Sequence, residues 1–105
     1  MKLVIAVVSN DDSQNVIDSL REAGFYSTTL ATTGGFLRVG NTTLMVGTED
    51  VDTCVKIIGK ESKTRTEIMT GGAINEFSGY PTLPVEVQVG GATIFVLDVE
   101  QFIKI

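Results

Sequence analysis

The sequence predicts an α+β fold in which one antiparallel sheet carries two helices on one face, with elements in the order βαββαβ. Two apolar stretches at helical spacing each follow a β-branched run, and alternating valines precede a glycine pair near the end. A length of 105 residues holds a single domain, 1–105.

The first strand is Leu3, Val4, Ile5, Ala6, Val7 and Val8, a continuous apolar run that suits a central position. Asn10, Asp11, Asp12 and Ser13 then supply cap oxygens and negative charge to a helix whose inner face is Val16, Ile17, Leu20 and Ala23. Gly24 ends it. Residues 25–33 are Thr-rich and strand-forming, Gly34 and Gly35 break them, and a strand resumes over residues 41–46, giving a hairpin with its loop at 34–40. Thr48, Glu49 and Asp50 open a second helix in which Val51, Cys54, Val55 and Ile58 share a face, and Gly59 and Lys60 close it. Residues 60–84 read as one long loop, polar at first and later rich in Gly and Pro. Val85, Val87 and Val89 then alternate with polar residues, Gly90 and Gly91 form a two-residue turn, and residues 92–96 return as the partner strand. Residues 99–105 form a short helix or strand. Named by its element order, this is the ferredoxin-like arrangement.

Leu3, Ile5 and Val7 lie on the opposite side of the first strand from Val4, Ala6 and Val8. Helices cover only one side, so the other is an apolar patch that drives association, and a homo-oligomer is expected.

Composition removes several function classes. Hydrophobic content of 43% with 20% charged residues is globular, not disordered. A formal charge of −5 without any Lys or Arg stripe argues against binding along a nucleic-acid polymer. With no His and a single Cys, a His-based triad, a Cys/His pair and a zinc–His site are absent by counting. Cys54 sits on an apolar helix face as filler. The opening apolar run is short and leads into Ser9, Asn10, Asp11 and Asp12 without a small-residue cleavage site, and no stretch reaches about 20 apolar residues, so a cytoplasmic protein without a membrane span is expected. No catalytic residues, metal ligands or cofactor are expected, and the chain is read as a non-enzyme.

The densest collection of hydroxyls, glycines and donors is residues 28–43. Glycine lets backbone N–H groups turn toward an anion, Thr and Asn side chains bond phosphate, ribose or a base edge, and Phe36 with Leu37 offers apolar walls to an aromatic ring. A hairpin loop with ordinary strand threonines accounts for the same composition. Arg38, the cation inside this loop, fits either a solvated charge or a phosphate contact. Gly90 and Gly91 fit either a tight hairpin or a close approach of ligand to backbone. The paired carboxylates Asp11–Asp12 and Glu49–Asp50 each begin a helix, where capping accounts for them. Neither the Walker loop nor the Rossmann glycine pattern occurs.

Residues 30–43 (Leu-Ala-Thr-Thr-Gly-Gly-Phe-Leu-Arg-Val-Gly-Asn-Thr-Thr) and 84–96 (Pro-Val-Glu-Val-Gln-Val-Gly-Gly-Ala-Thr-Ile-Phe-Val) closely resemble the P-II-like cyclic-di-AMP receptor family. The likeness extends over nearly the whole chain. It implies a ferredoxin-like homotrimer that binds cyclic di-AMP in three clefts between subunits, orders loops in response, acts on a protein target that the sequence does not name, and performs no catalysis. Matched position by position, Thr28, Gly35, Phe36, Leu37, Asn41 and Gly47 fall in the family's ligand-contacting segment, and Gly91 and Ala92 in its hairpin contribution. The resemblance makes Phe36 and Leu37 the adenine-packing pair, Asn41 the partner of its edge, and Thr28 a phosphate ligand, with Arg38 as an additional cation. Where the family carries Asn-Phe-Arg, this chain reads Gly24, Phe25 and Tyr26. The missing arginine removes a charge-assisted donor worth about 1.5–3 kcal/mol, or roughly ten- to a hundredfold in affinity. That departure motivates a second reading, a P-II-like trimeric interaction protein that binds another adenine nucleotide or has lost its ligand. Residues 68–77 match the family's glycine-containing segment only loosely, and Phe102, Ile103, Lys104 and Ile105 replace a terminus that carries His and Gln.

Overall fold

The computed structural model describes residues 1–30, 40–70 and 84–105. The expected strand residues 31–33, the glycine break, Phe36, Leu37 and Arg38 lie outside the described residues, as do 71–83. The elements are β1 (Lys2–Ser9), α1 (Asn10–Glu22), β2 (Ser27–Leu30), β3 (Asn41–Thr48), α2 (Val51–Glu61), β4 (Arg65–Thr70), β5 (Pro84–Val89) and β6 (Ala92–Asp98). Four of the strands form an antiparallel sheet in the order β2-β3-β1-β6, and β4 pairs with β5 in a separate two-stranded sheet.

The apolar run of β1 does take a central place, because both of its edges must find hydrogen-bond partners once it is buried. Ala6 faces Leu44 on one side and Ile94 on the other, and Val4 faces Val46 and Val96. Val4, Ala6, Val8, Leu44 and Val46 are buried with Val16 and Leu20 of α1 and with Cys54 and Ile58 of α2, so both helices cover the same sheet face. Burial pushes the Cys54 thiol up, and the nearby Asp50 carboxylate adds to it, which suits a packing role.

Ser9 caps α1, its hydroxyl accepting from the Asp11 amide at 3.3 Å. Asp11 and Asp12 both lie in the first turn, where negative charge favours the helix dipole, and Asp12 has a further partner. Its carboxylate is 6% exposed and pairs with Arg65 of β4, 3.0 Å from Oδ1 to Nη2. The other end of α1 is a Schellman motif: the Phe25 amide donates to the Leu20 carbonyl at 2.8 Å and the Gly24 amide to Arg21 at 3.0 Å. Gly24 has φ +89°, with open space where a Cβ would stand. Backbone strain alone then sets the effect of Gly24→Ala, a loss of about 1 kcal/mol in urea denaturation, with Gly24→Asn losing less because Asn tolerates this conformation.

Asp50 caps α2 by accepting from the Thr53 amide at 3.2 Å, and hydrogen bonding with the Thr53 side chain, then with its amide, holds the carboxyl below the usual range. Thr48 accepts in turn from the Asp50 amide at 2.9 Å. The helix does not stop at Gly59 and Lys60 but runs on to Glu61, where Ser62 donates its hydroxyl back to the Ile58 carbonyl.

Three expectations are corrected. Residues 60–84 are not one loop, since they contain the end of α2 and all of β4. β4 is polar and pairs only with β5, so it never buries one side and never acquires a period-2 signature; Ile68 remains 70% exposed. Residues 85–89 and 92–96 are not partners in a hairpin either. β6 pairs with β1 from Val8↔Ala92 to Lys2↔Asp98, while β5 pairs with β4 from Thr70↔Pro84 to Arg65↔Val89. Gly90 and Gly91, at φ +84° and +83°, carry the chain from one sheet to the other. Alternating sequence fits both arrangements; the free edge of buried β1 decides. Lastly, residues 99–105 form neither helix nor strand. Seven residues are too few to sustain a helix without packing.

The open face of the sheet presents Leu3, Ile5, Val7 and Met45, all half-buried, together with Leu97 at 46% exposure. This is the uncovered apolar side that the alternation within β1 anticipated.

Candidate functional site

The expected ligand residues that the structure describes fall at two ends of that open face. At one end, β1 and β3 finish opposite each other at Ser9↔Asn41, and the glycine connection into β6 passes beside them. Together they line a cleft of about 300 Å³ whose walls include Ser9, Asn41, Gly90, Gly91, Ala92 and Thr93. Asn41, Gly91 and Ala92, drawn from two distant blocks of sequence, are thus brought together. Local hydrogen bonds hold this rim: the Asn10 amide donates to the Gly40 carbonyl at 2.8 Å, and the Thr42 hydroxyl donates to Asn10 Oδ1.

The cleft offers amide and hydroxyl groups and glycine backbone, and no Lys or Arg among the described residues lines it. An anionic ligand here meets neutral donors. The Gly91 N–H is not one of them, because it donates to the Ser62 carbonyl. Gly91 thus borders the cleft without offering it an amide donor.

Thr28 and Gly47 lie at the other end, in a second cleft of about 310 Å³ shared with Leu3, Tyr26, Met45 and Phe102. Thr28 sits opposite Met45, and a Cβ on Gly47 would stand 3.6 Å from the Met1 sulfur. Asn41 and Gly47 are six residues apart on β3, which is roughly 20 Å of extended chain. One chain therefore does not gather the expected residues around a single point. Gly35, Phe36, Leu37 and Arg38 lie outside the described residues.

Sequence reasoning missed several lining residues. Ser9 and Thr93 border the first cleft, and Tyr26, 83% exposed, and Phe102 border the second. Ser9 and Thr93 do adjoin recognisable signals, a helix start and a glycine pair. Thr43, two residues from Asn41 and opposite Val7, is 5% exposed, and its hydroxyl has no hydrogen-bond partner among the described residues. No cluster of three or more His, Cys, Asp or Glu that could hold a metal is found among those residues, and no helix among them is long and apolar enough to cross a membrane.

A four-stranded antiparallel sheet in this order, with both helices on one face, is the ferredoxin-like arrangement and fits the P-II-like class of α+β proteins. The family model described as cyclic-di-AMP receptor matches residues 1–105, and the chain belongs to that family. A solved structure described as a functionally unknown protein from Pediococcus pentosaceus ATCC 25745 is 43% identical to it, with a TM-score of 0.76, over 99% of this chain and 96% of that one.

Proposed function

We propose that the protein is a P-II-like signal-transduction protein that binds cyclic di-AMP in clefts between the subunits of a homotrimer. The ligand signal passes to a protein target through ordering within residues 60–84, and the protein acts in the cytoplasm without catalysis.

The observation that carries this reading is the division of the matched residues between two ends of one open sheet face. Asn41, Gly91 and Ala92 line one cleft, and Thr28 and Gly47 line the other. A site shared by two copies accounts for both: one end of a protomer's face meets the opposite end of its neighbour's, and a ligand with two adenines and two phosphates spans the seam. The half-buried apolar rows between the clefts supply the contact that brings copies together. Membership of the cyclic-di-AMP receptor family supports cyclic di-AMP as that ligand.

Calorimetry with cyclic di-AMP, cyclic di-GMP, ATP and AMP tests the ligand, and sedimentation tests the assembly. Cyclic di-AMP is expected to bind at sub-millimolar concentration to a trimer. Asn41→Ala is expected to weaken it roughly three- to tenfold, as loss of one neutral hydrogen bond does, while the trimer persists. Monomers at working dilution, or no heat from any adenine nucleotide, would reject the reading.

The second reading, an interaction protein that takes another adenine nucleotide or none, is favoured by one observation. Tyr26, exposed at the mouth of the second cleft, stands where the family places an arginine. The same calorimetric panel separates the two, because a trimer silent toward cyclic di-AMP that captures its protein partner regardless of nucleotide fits only the second.

A further inference from the structure

The Asp12–Arg65 pair joins the first turn of α1 to the root of β4, 53 positions along the chain. The contact has two points, Arg65 Nη2 to Asp12 Oδ1 at 3.0 Å and Nη1 to Oδ2 at 3.2 Å, the planar fork geometry that makes such pairs directional. Arg65 Nη1 also donates to the Lys63 carbonyl at 3.3 Å, and Nε lies 3.6 Å from Glu67. Asp12 raises the guanidinium pKa above its ordinary value, with Glu67 adding to it. The guanidinium thus braces the turn between α2 and β4 against the body of the domain.

That turn is in contact with the cleft's glycines. A Cβ on Gly90 would stand 2.5 Å from the Lys63 carbonyl oxygen and 2.9 Å from Arg65 Nη1, and one on Gly91 would stand 3.0 Å from Thr64 Oγ1. The Gly91 amide donates to the Ser62 carbonyl. Residues 62–65 therefore form the backing of the two glycines whose other side borders the cleft with Asn41.

We propose that Asp12 and Arg65 are a positioning pair for the ligand cleft, holding residues 62–65 as the backing that sets where Gly90 and Gly91 stand. The ligand side of this inference rests on the cyclic-di-AMP reading above; the backing itself does not. Neither side chain lines the cleft, so both act through the glycine turn. Asp12 is nearly buried, so removing Arg65 leaves a carboxylate without its counter-charge and releases the turn.

The test uses the full chain with Asp12→Asn, Arg65→Gln and the double variant, and reads amide exchange by NMR together with cyclic di-AMP affinity by calorimetry. Without ligand, the Gly91 amide is expected to exchange at least about tenfold faster in either single variant, while the core amides of Leu44 and Val46 keep wild-type rates. The double variant should be no faster than the worse single one, as for two groups acting as a unit. Cyclic di-AMP affinity should fall roughly tenfold in all three, against an unchanged trimer. Gly91 exchange within twofold of wild type in a folded single variant overturns the proposal, and so does equal acceleration of Gly91 and the core amides, which marks plain destabilisation. Faster Gly91 exchange with unaltered affinity overturns the positioning role. If wild-type protein gives no heat with cyclic di-AMP, the functional reading falls, and Gly91 exchange still decides whether the pair sets the turn.

Discussion

Gly90→Ala is expected to cost about 2–5 kcal/mol of stability, a large share of what a domain this size has, and to abolish nucleotide binding. Two penalties act together. Gly90 has φ +84°, where an L side chain is strained, and its new methyl would sit 2.5 Å from the Lys63 carbonyl, which is backbone and cannot swing aside as a flexible side chain can. Relief requires the Gly90–Gly91 connection to move, which displaces one wall of the cleft and the Gly91 bond to Ser62. Gly59→Ala is the matched control. Gly59 lies in α2 with nothing within 4 Å of the added methyl, so alanine there should gain about 0.5–1 kcal/mol from helix propensity alone. Urea titration of both variants checks the pair. Equal effects at the two positions would show that the contact with Lys63 does not control the turn.

Leu44→Ala is expected to lose about 3–5 kcal/mol and to lower Tm by more than about 10 °C. Leu44 is fully buried in the middle of β3, facing Ala6 on one neighbouring strand and Thr29 on the other, on the sheet face that the helices cover. Ala6 is already small, so the facing strand has no side chain that can lean in to fill the space. Leu97→Ala, from the half-exposed opposite face, should cost under about 1 kcal/mol within one chain, because much of that side chain already meets solvent. Thermal melts over a range of protein concentration measure both, since assembly through the open face makes Tm concentration-dependent. A Leu44→Ala loss no greater than that of Leu97→Ala would mean that the helix-covered face is not the core.

The candidate site was legible in parts. Asn41, Gly91 and Ala92 were marked from two separate blocks of sequence, and they line one cleft. Thr28 and Gly47 were marked with them, but strand direction carries those two to the far end of the sheet. Nothing local announces this, because distance along a strand becomes distance in space only when the register is known. The position of Asp12 in the first turn of α1 explains its charge locally and gives no sign of a distant partner. Its partner, Arg65, lies in a stretch that read as loop, so no local pattern joined them.

Sequence by itself determined the two helices and the glycine that ends the first, the apolar strand at the centre, the helix-covered face and the uncovered one opposite. Each of these follows from short-range periodicity and from capping chemistry that needs only neighbours within a turn or two. Tertiary structure alone decided that β6 pairs with β1 instead of β5, that polar β4 becomes a strand at all, and that Gly90 and Gly91 bridge two sheets. The reason is hydrogen-bond satisfaction at long range: a buried central strand must fill both edges, and which segment fills the second edge depends on the whole chain rather than on the residues beside it.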